Sequence, residues 1–284
     1  MFLREEIPLL ISSNENLDVY NKSADGSYFK IRLENGLHIP KEAINVNLRV
    51  ESASIWYTTP NIITGVNDTL SIIGPDKNDL IKPFVIVIEQ GLYSVDNLLQ
   101  AIELGLFQAG AKYINNGTKA SLIDFVPDPA TGRLLLQINY DSVSIDFGAP
   151  RNFSNILGFD GGVYGPFIGQ DLPVNIRPPK PAKFNQIDYY LINSSIIEQG
   201  LRINSSYNHT IARVLIDQTP GAQIIYSPNH PTRCNANSLR GLRKTEIEFW
   251  LTDDKYQRVD TGSENWSVNM VIEFYLPVTH KSFK

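Results

Sequence analysis

An all-β fold is what this sequence predicts: an antiparallel single jelly-roll sandwich carrying an inserted α+β domain. Three observations predict it. Apolar and polar residues alternate with a period of two in run after run, the pattern of half-buried antiparallel strands. Prolines at Pro40, Pro60, Pro220 and Pro228 fall between those runs, where strand breakers belong. A single stretch, near residue 100, switches to helical spacing.

Taken in order, Phe29, Ile31 and Leu33 form the first clear alternation, and Ile44, Val46, Leu48 and Val50 the second. Asn35-Gly36 between them reads as a turn. The segment GLYSVDNLLQAIELGLFQAG (91–110) places Val95, Leu98, Leu99, Ile102 and Leu106 on one helical face. Ser94 is suited to cap that helix, since its hydroxyl can accept from an unpaired first-turn amide, and Gly110 to end it. LIDFVPDPATGRLLLQI then supplies two apolar runs joined by Asp128-Pro129-Ala130-Thr131-Gly132, a hairpin signal. PVNIRPPKPAK (173–183) is expected to be an extended connector back to the main sheets. The alternation resumes more weakly at Ile187-Tyr189-Leu191 and at residues 211–216. It ends on a strand pair read as a C-terminal hairpin: Ile247, Phe249 and Leu251 on one arm, and Trp266, Val268, Met270, Ile272, Phe274 and Leu276 on the other. These elements divide the chain into a first part of the roll (1–60), an inserted outer domain (61–165) and a second part of the roll (166–284).

Composition limits the function. With 42% hydrophobic and 19% charged residues, the chain suits a folded domain with a sizeable core. A net charge of −5 argues against a protein that coats nucleic acid. Cys234 is the only cysteine, which rules out an intrachain disulfide and a cysteine-based zinc site. The N-terminus MFLREEIPLL carries Arg4, Glu5 and Glu6 where a signal peptide needs its apolar run. No stretch approaches the roughly 18 apolar residues of a membrane span. The sequons at Asn21, Asn67, Asn116, Asn152, Asn193, Asn204, Asn208 and Asn265 then reflect an Asn- and Ser-rich composition. The expectation is a soluble protein made in a reducing cytoplasm.

The search for chemistry is negative. His38, His209, His230 and His280 lie far apart and form no paired-ligand motif. No G-x-S-x-G elbow or phosphate loop occurs, and Gly161-Gly162 reads as a loop. Cys234 has no neighbour in sequence that would activate it. Asp253, Asp254, Asp260 and Glu264 could offer oxygens to calcium, but a solvated acidic turn explains their spacing better. The basic loop from Arg233 through Arg240 and Arg243 to Lys244 lacks interleaved aromatics, so a solvated or subunit-contacting loop is expected rather than a nucleic-acid surface. No catalytic group, cofactor or metal is assigned, and no enzyme activity is expected. Trp250, Tyr190 and Tyr275 on polar strand faces, with Arg240 and Arg243, are the candidate subunit contacts.

Four segments carry a resemblance. The run IEFWLTDDKYQRVDTGSENWSVNMVIEF (247–274), SASIWYTTPNI (52–62), GLYSVDNLLQAI (91–102) and NILGF (155–159) resemble motifs of the penton, or vertex, minor capsid proteins of virophages and Polinton-type elements. In that family a strand ending in L-T-D leads through a loop to a last apolar strand. Lys255-Tyr256 stands where many relatives carry a loop glycine. The resemblance implies a single jelly roll with an inserted outer domain, and a homopentamer closing the five-fold vertex of an icosahedral virion. It also implies contact with a double-jelly-roll major capsid protein and assembly in a host cytoplasm. A host-surface receptor is a further partner to expect, and a receptor- or glycan-binding jelly roll is the alternative function. The N-terminal arm is expected to reach a neighbouring subunit.

Overall fold

The computed structural model describes residues 2–14, 18–112, 114–115, 119–185, 187–203 and 206–278. Two compact units emerge: Met1–Thr59 with Ile187–Lys284, and Pro60–Gln186. The first unit opens with β1 (Phe2–Ser12), β2 (Val19–Lys22), β3 (Tyr28–His38) and β4 (Ile44–Trp56). The second holds β5 (Thr69–Pro75), β6 (Ile81–Val87), α1 (Val95–Gln108), β7 (Ile114–Asn115), β8 (Lys119–Ala120), β9 (Ile123–Asp128) and β10 (Arg133–Ile138). It continues through β11 (Ser144–Asp146), α2 (Ser154–Leu157), β12 (Val163–Tyr164) and β13 (Val174–Ile176). The first unit then resumes with β14 (Tyr189–Ser194), β15 (Arg202–Ile203), β16 (Ser206–Tyr207), β17 (Thr210–Leu215) and β18 (Gln223–Tyr226). It closes with β19 (Arg233–Asn235), β20 (Arg243–Thr252) and β21 (Ser267–Pro277).

Two large antiparallel sheets, with a small β15-β16 pair, build the first unit. One runs β1-β21-β4-β18, with β19 also pairing β4; the other runs β17-β14-β20-β3-β2. Strands adjacent in sequence therefore change sheet repeatedly: β3 lies in the second and β4 in the first, β20 in the second and β21 in the first. That wrapping makes the unit a jelly roll. It also corrects two expectations. β20 and β21 are not a hairpin: β20 pairs β3 and β14, whereas β21 pairs β1 and β4. Asn35-Gly36 is not a hairpin turn either. β3 runs through it to His38, Gly36 takes a φ of 64°, and the register with β20 shifts at that level.

The alternating residues fill the roll as their period requires. Ile247, Phe249 and Leu251 from β20, and Val268, Met270, Ile272 and Phe274 from β21, are all buried. Phe29 stacks on Phe249 with centroids 5.4 Å apart and meets the edge of Trp266 at 4.9 Å. The Trp266 indole N–H donates to Gly26 O at 3.1 Å, so this large side chain is buried without stranding its polar atom. Asn193, buried at a bulge in β14, is satisfied in the same way. Its amide donates to Leu191 O, Trp250 O and Thr252 Oγ1, and its Oδ1 accepts from Thr210 Oγ1 at 2.7 Å.

In the second unit the Ser94 hydroxyl accepts from Asn97 N and begins α1, and Gly110 at φ 78° follows its end. Leu98, Ile102 and Leu106 are the buried face. Gly105 lies where a Cβ would come within 3.2 Å of Ile86, so a bare backbone lets the helix approach β6. β9 and β10 form the expected hairpin, with Asp128 closing its turn through Thr131 Oγ1 and Gly132 N. The Pro-rich segment does not lead directly back to the roll. β13 within it pairs β10, Ala182 N donates to Gly132 O and Lys183 N to Ile156 O. Residues 166–186, expected in the second part of the roll, accordingly lie in the second unit, and the chain re-enters the roll at Ile187 rather than at 166.

Three of the family-like segments are joints of this unit. Buried Asn61 donates to Tyr93 O and Phe184 O while accepting from Tyr93 N, fastening the start of the insertion to the approach of α1 and to the returning chain. In NILGF, Gly158 ends α2 at φ 86°, and a Cβ there would sit 2.3 Å from Lys180 O. Only glycine fits both demands. Phe159 next to it is buried and stacks on Phe147 at 4.7 Å.

Two outcomes follow. Ile272→Asp should abolish soluble expression, because an unpaired charge facing the roll core costs several kcal/mol; a soluble protein with native far-ultraviolet dichroism would overturn the register. In the second unit, Asp68 is buried and accepts from Arg151 Nε (2.9 Å), Arg151 Nη2 (2.6 Å) and Gly65 N (2.8 Å). The guanidinium, above all, pulls its carboxyl down to about 2. The unfolded value is about 3.9, so this stabilisation is fully present above that pH and is lost as pH falls through about 2. Between pH 5 and pH 2, Asp68→Asn should flatten the acid decline in unfolding midpoint, and an unchanged decline would remove Asp68 from it.

Candidate functional site

The outer face of the β1-β21-β4 sheet carries a dense arrangement of charges. Register places Glu6 of β1 directly opposite Glu273 of β21, a like-charge pairing that is unfavourable by itself. Two arginines resolve it. Arg4 Nη2 reaches Glu273 Oε2 at 2.5 Å and Glu6 Oε1 at 2.6 Å. Arg49 of β4 reaches Glu273 at 2.8 Å, Glu6 at 3.1 Å and Glu51 at 2.5 Å. Arg233 of β19 adds a longer contact to Glu273 at 3.7 Å. Hydrogen bonding from Arg49, first of all, lowers the Glu6 carboxyl below its ordinary range. Glu273 is buried on a face that alternation marks only as non-core, so period-two reading gave no signal for it. The cluster links four strands.

The predicted contact residues do not converge. Tyr190 is wholly buried, its hydroxyl 2.8 Å from Thr59 Oγ1, and burial raises its pKa. It cannot present a surface, because β14 is a central strand buried on both faces. Trp250 lies half-buried on the outer face of the other sheet, with the His209 ring 5.7 Å away and Arg258 6.0 Å above it. Arg258 also covers Tyr28, the register partner of Trp250, at 4.6 Å. Tyr275 is half-buried on β21, opposite Arg4. Arg240 and Arg243 are exposed but brace their own chain, Arg240 on Ala43 O at 3.4 Å and Arg243 on Asn35 O at 2.9 Å.

The remaining candidates have structural explanations. Asp253 Oδ1 accepts from Lys255 N (2.9 Å) and Gln257 N (2.8 Å), and Asp260 Oδ1 from Gly262 N (2.8 Å), so these carboxylates shape the acidic turn. Among the described residues no group of three or more His, Cys, Asp and Glu side chains is placed to hold a metal ion. Cys234 is buried, and desolvation pushes its thiol up to about 11, which leaves little thiolate to react. His280 lies outside the described residues. No helix among the described residues is long and apolar enough to cross a membrane.

Part of the exposed apolar surface lies on strands that end their sheets. Residues 2–10 are not a free arm: β1 pairs β21 in unbroken register from Phe2↔Pro277 to Ser12↔Ser267 and ends its sheet. Phe2, Leu3 and Leu10 are nevertheless exposed. Leu215 and Ile225 are exposed on β17 and β18, the strands that end the two sheets elsewhere. In the second unit Ile73, Val85, Val87 and Val163 are exposed along the β12-β11-β5-β6 sheet. Exposed apolar side chains on sheet edges mark interaction surfaces.

Removing the hub of the charge cluster should loosen the closing strand. Glu273→Ala leaves Arg4 and Arg49 with only Glu6 and Glu51, and should cost about 1–3 kcal/mol, read as a lower thermal midpoint. Glu273→Gln, which keeps shape but not charge, should fall between. A wild-type midpoint in Glu273→Ala would dismiss the cluster as a stabilising clamp.

Comparison with known proteins rests on the fold. No protein-family model matches the sequence, and no curated protein does. Among solved structures, the crystal structure of the SeMet-labelled mavirus penton protein is similar at a TM-score of 0.50 and 11% identity, covering 96% of this chain and 99% of that one. The structure of the infectious bursal disease virus Gx strain is similar at a TM-score of only 0.10 and 11% identity, covering 97% and 72%, too low to equate the folds. This chain has a penton-like fold, a jelly roll with an α+β insertion, shared with the mavirus penton protein over nearly its whole length.

Proposed function

We propose that this protein is a structural capsid subunit that forms homopentameric pentons at the five-fold vertices of an icosahedral particle. The observation that carries the reading is the extent of the fold similarity, 96% of this chain against 99% of a penton protein. Both the roll and the insertion are needed to reach that coverage. In this role the protein acts by shape and edge contact, with no catalytic turnover, cofactor or metal. A cyclic ring uses heterologous contacts, one flank of each subunit meeting a different flank of the next. The exposed apolar residues on β1, β17 and β18 suit such a ring. Around the vertex the partners would be double-jelly-roll major capsid subunits, in a virion assembled in a host cytoplasm. Contact with a host-surface receptor is compatible with this place.

The purified protein, concentrated alone and with a double-jelly-roll major capsid protein, is expected to give a mass of about five subunits and five-fold rings in negative stain. A protein that stays monomeric under both conditions would overturn the reading.

A further inference from the structure

Asn35-Gly36, the pair that turns no hairpin, is built for a chemistry of its own. β3 and β20 pair at Arg32↔Glu246 and again at Leu37↔Lys244. Four residues of β3, 33–36, therefore stand opposite the single residue Thr245, and this stretch leaves the regular ladder. Asn35 is exposed, and among the described residues its side-chain amide has no hydrogen-bond partner. Gly36 follows at φ 64°, a conformation that suits a residue without a Cβ. The missing side chain also leaves the Gly36 nitrogen uncovered.

Arg243, the first residue of β20, lies against this pair. Its Nη2 donates to Asn35 O at 2.9 Å. A Cβ on Gly36 would come within 3.0 Å of the Arg243 Cγ and Nε, so the arginine is laid directly over the glycine. That placement bears on the reactivity of the peptide between Asn35 and Gly36. If the Gly36 N–H loses its proton, resonance spreads the charge from nitrogen to Asn35 O. The guanidinium already donates to that oxygen, a charge-assisted contact that strengthens as the charge develops.

We propose that Asn35-Gly36 is a self-modifying site, closed to a succinimide with the help of Arg243 and then opened to aspartate or isoaspartate. Gly36 N gives its proton to solvent base and bonds to Asn35 Cγ, forming a five-membered ring. The Cγ–Nδ2 bond breaks, and the amide nitrogen takes up a proton and leaves as ammonia. Water then opens the ring at either carbonyl. One product carries an ordinary aspartate side chain; the other runs the main chain through the side-chain carbon and lengthens β3 by one backbone atom. Nothing is oxidised or reduced. Either product sets a carboxylate beside Arg243 where a neutral amide stood, at the level where β3 and β20 change register. The step needs no partner and is independent of the ring proposed above.

Isotope uptake tests it. Folded protein is incubated in heavy-oxygen water at mildly alkaline pH, and uptake is read by mass spectrometry in the peptides containing Asn35 and Asn116, the latter from the other Asn-Gly pair in the sequence. Wild type is expected to take up label at position 35. Arg243→Ala should slow that uptake several-fold and leave position 116 unchanged, Arg243→Lys should keep part of the rate, and Asn35→Gln should lose the label at that position. Circular dichroism verifies that each variant is folded. With the chains unfolded in urea, wild type and Arg243→Ala should label position 35 equally fast. A folded wild type that stays unlabelled at 35 while its unfolded chain reacts would overturn the site. Labelling of folded Arg243→Ala as fast as wild type would overturn the part given to the arginine.

Discussion

The last strand closes the roll, and most of the first unit depends on its seating. β21 lies between β1 and β4, so residues at opposite ends of the sequence are neighbours in one sheet. Such pairing carries a large loop-closure cost before any contact rewards it. What offsets that cost is visible on both faces of β21. Inward, Val268, Met270, Ile272 and Phe274 are buried against the opposite sheet. Outward, Glu273 gathers Arg4 and Arg49 from the two flanking strands. The like charges of Glu6 and Glu273 become an asset only because an arginine from each side bridges them.

The insertion is organised on a different logic. Its chain leaves the roll after Thr59 and returns at Ile187, and polar joints fasten its loops around an apolar core. Asn61 draws the outgoing chain, the start of α1 and the returning chain together. Asp68 and Arg151 tie two loops distant in sequence. Gly158 admits the backbone at Lys180 into a space that no side chain could share. The segments that resemble penton motifs are thus explained as architecture. SASIWYTTPNI supplies Asn61, GLYSVDNLLQAI supplies Tyr93 and the Ser94 cap, and NILGF supplies Gly158. Leu251-Thr252-Asp253 in the terminal run ends β20 with a buried hydrogen bond to Asn193 and an aspartate-capped turn.

Function, on this reading, belongs to edges rather than to a pocket of reactive groups. A sheet edge is a hazard unless blunted or used. β1 shows both treatments: Pro8 and the charges at Arg4 and Glu6 blunt it, while Phe2 and Leu3 stay exposed. A cavity of about 490 Å³ also opens between β17 and β18. Surfaces of this kind are invisible to motif searches, because no single residue type at a fixed spacing defines them.

The sequence by itself determined which side of each strand is buried. Period-two alternation assigned Ile272, Phe249 and Val46 to the core, helical spacing located α1, and Ser94, Asp128 and Gly110 marked its cap, a turn and an end. These signals are local, since they depend on backbone geometry over a few residues. Tertiary structure alone decided which strands pair. Alternation is identical whether β20 meets β21 beside it or across the core, so the apparent C-terminal hairpin became two strands in opposite sheets. The same limit hid the role of Glu273, whose burial depends on arginines arriving from β1 and β4. It also misread Tyr190, polar-tipped on a strand that turns out to be covered on both faces. The second boundary of the insertion moved from 165 to 186 because β13 is held by a hydrogen-bonded partner, β10, that composition cannot name. A residue's face is written in its neighbours in sequence; its partner is written in the fold.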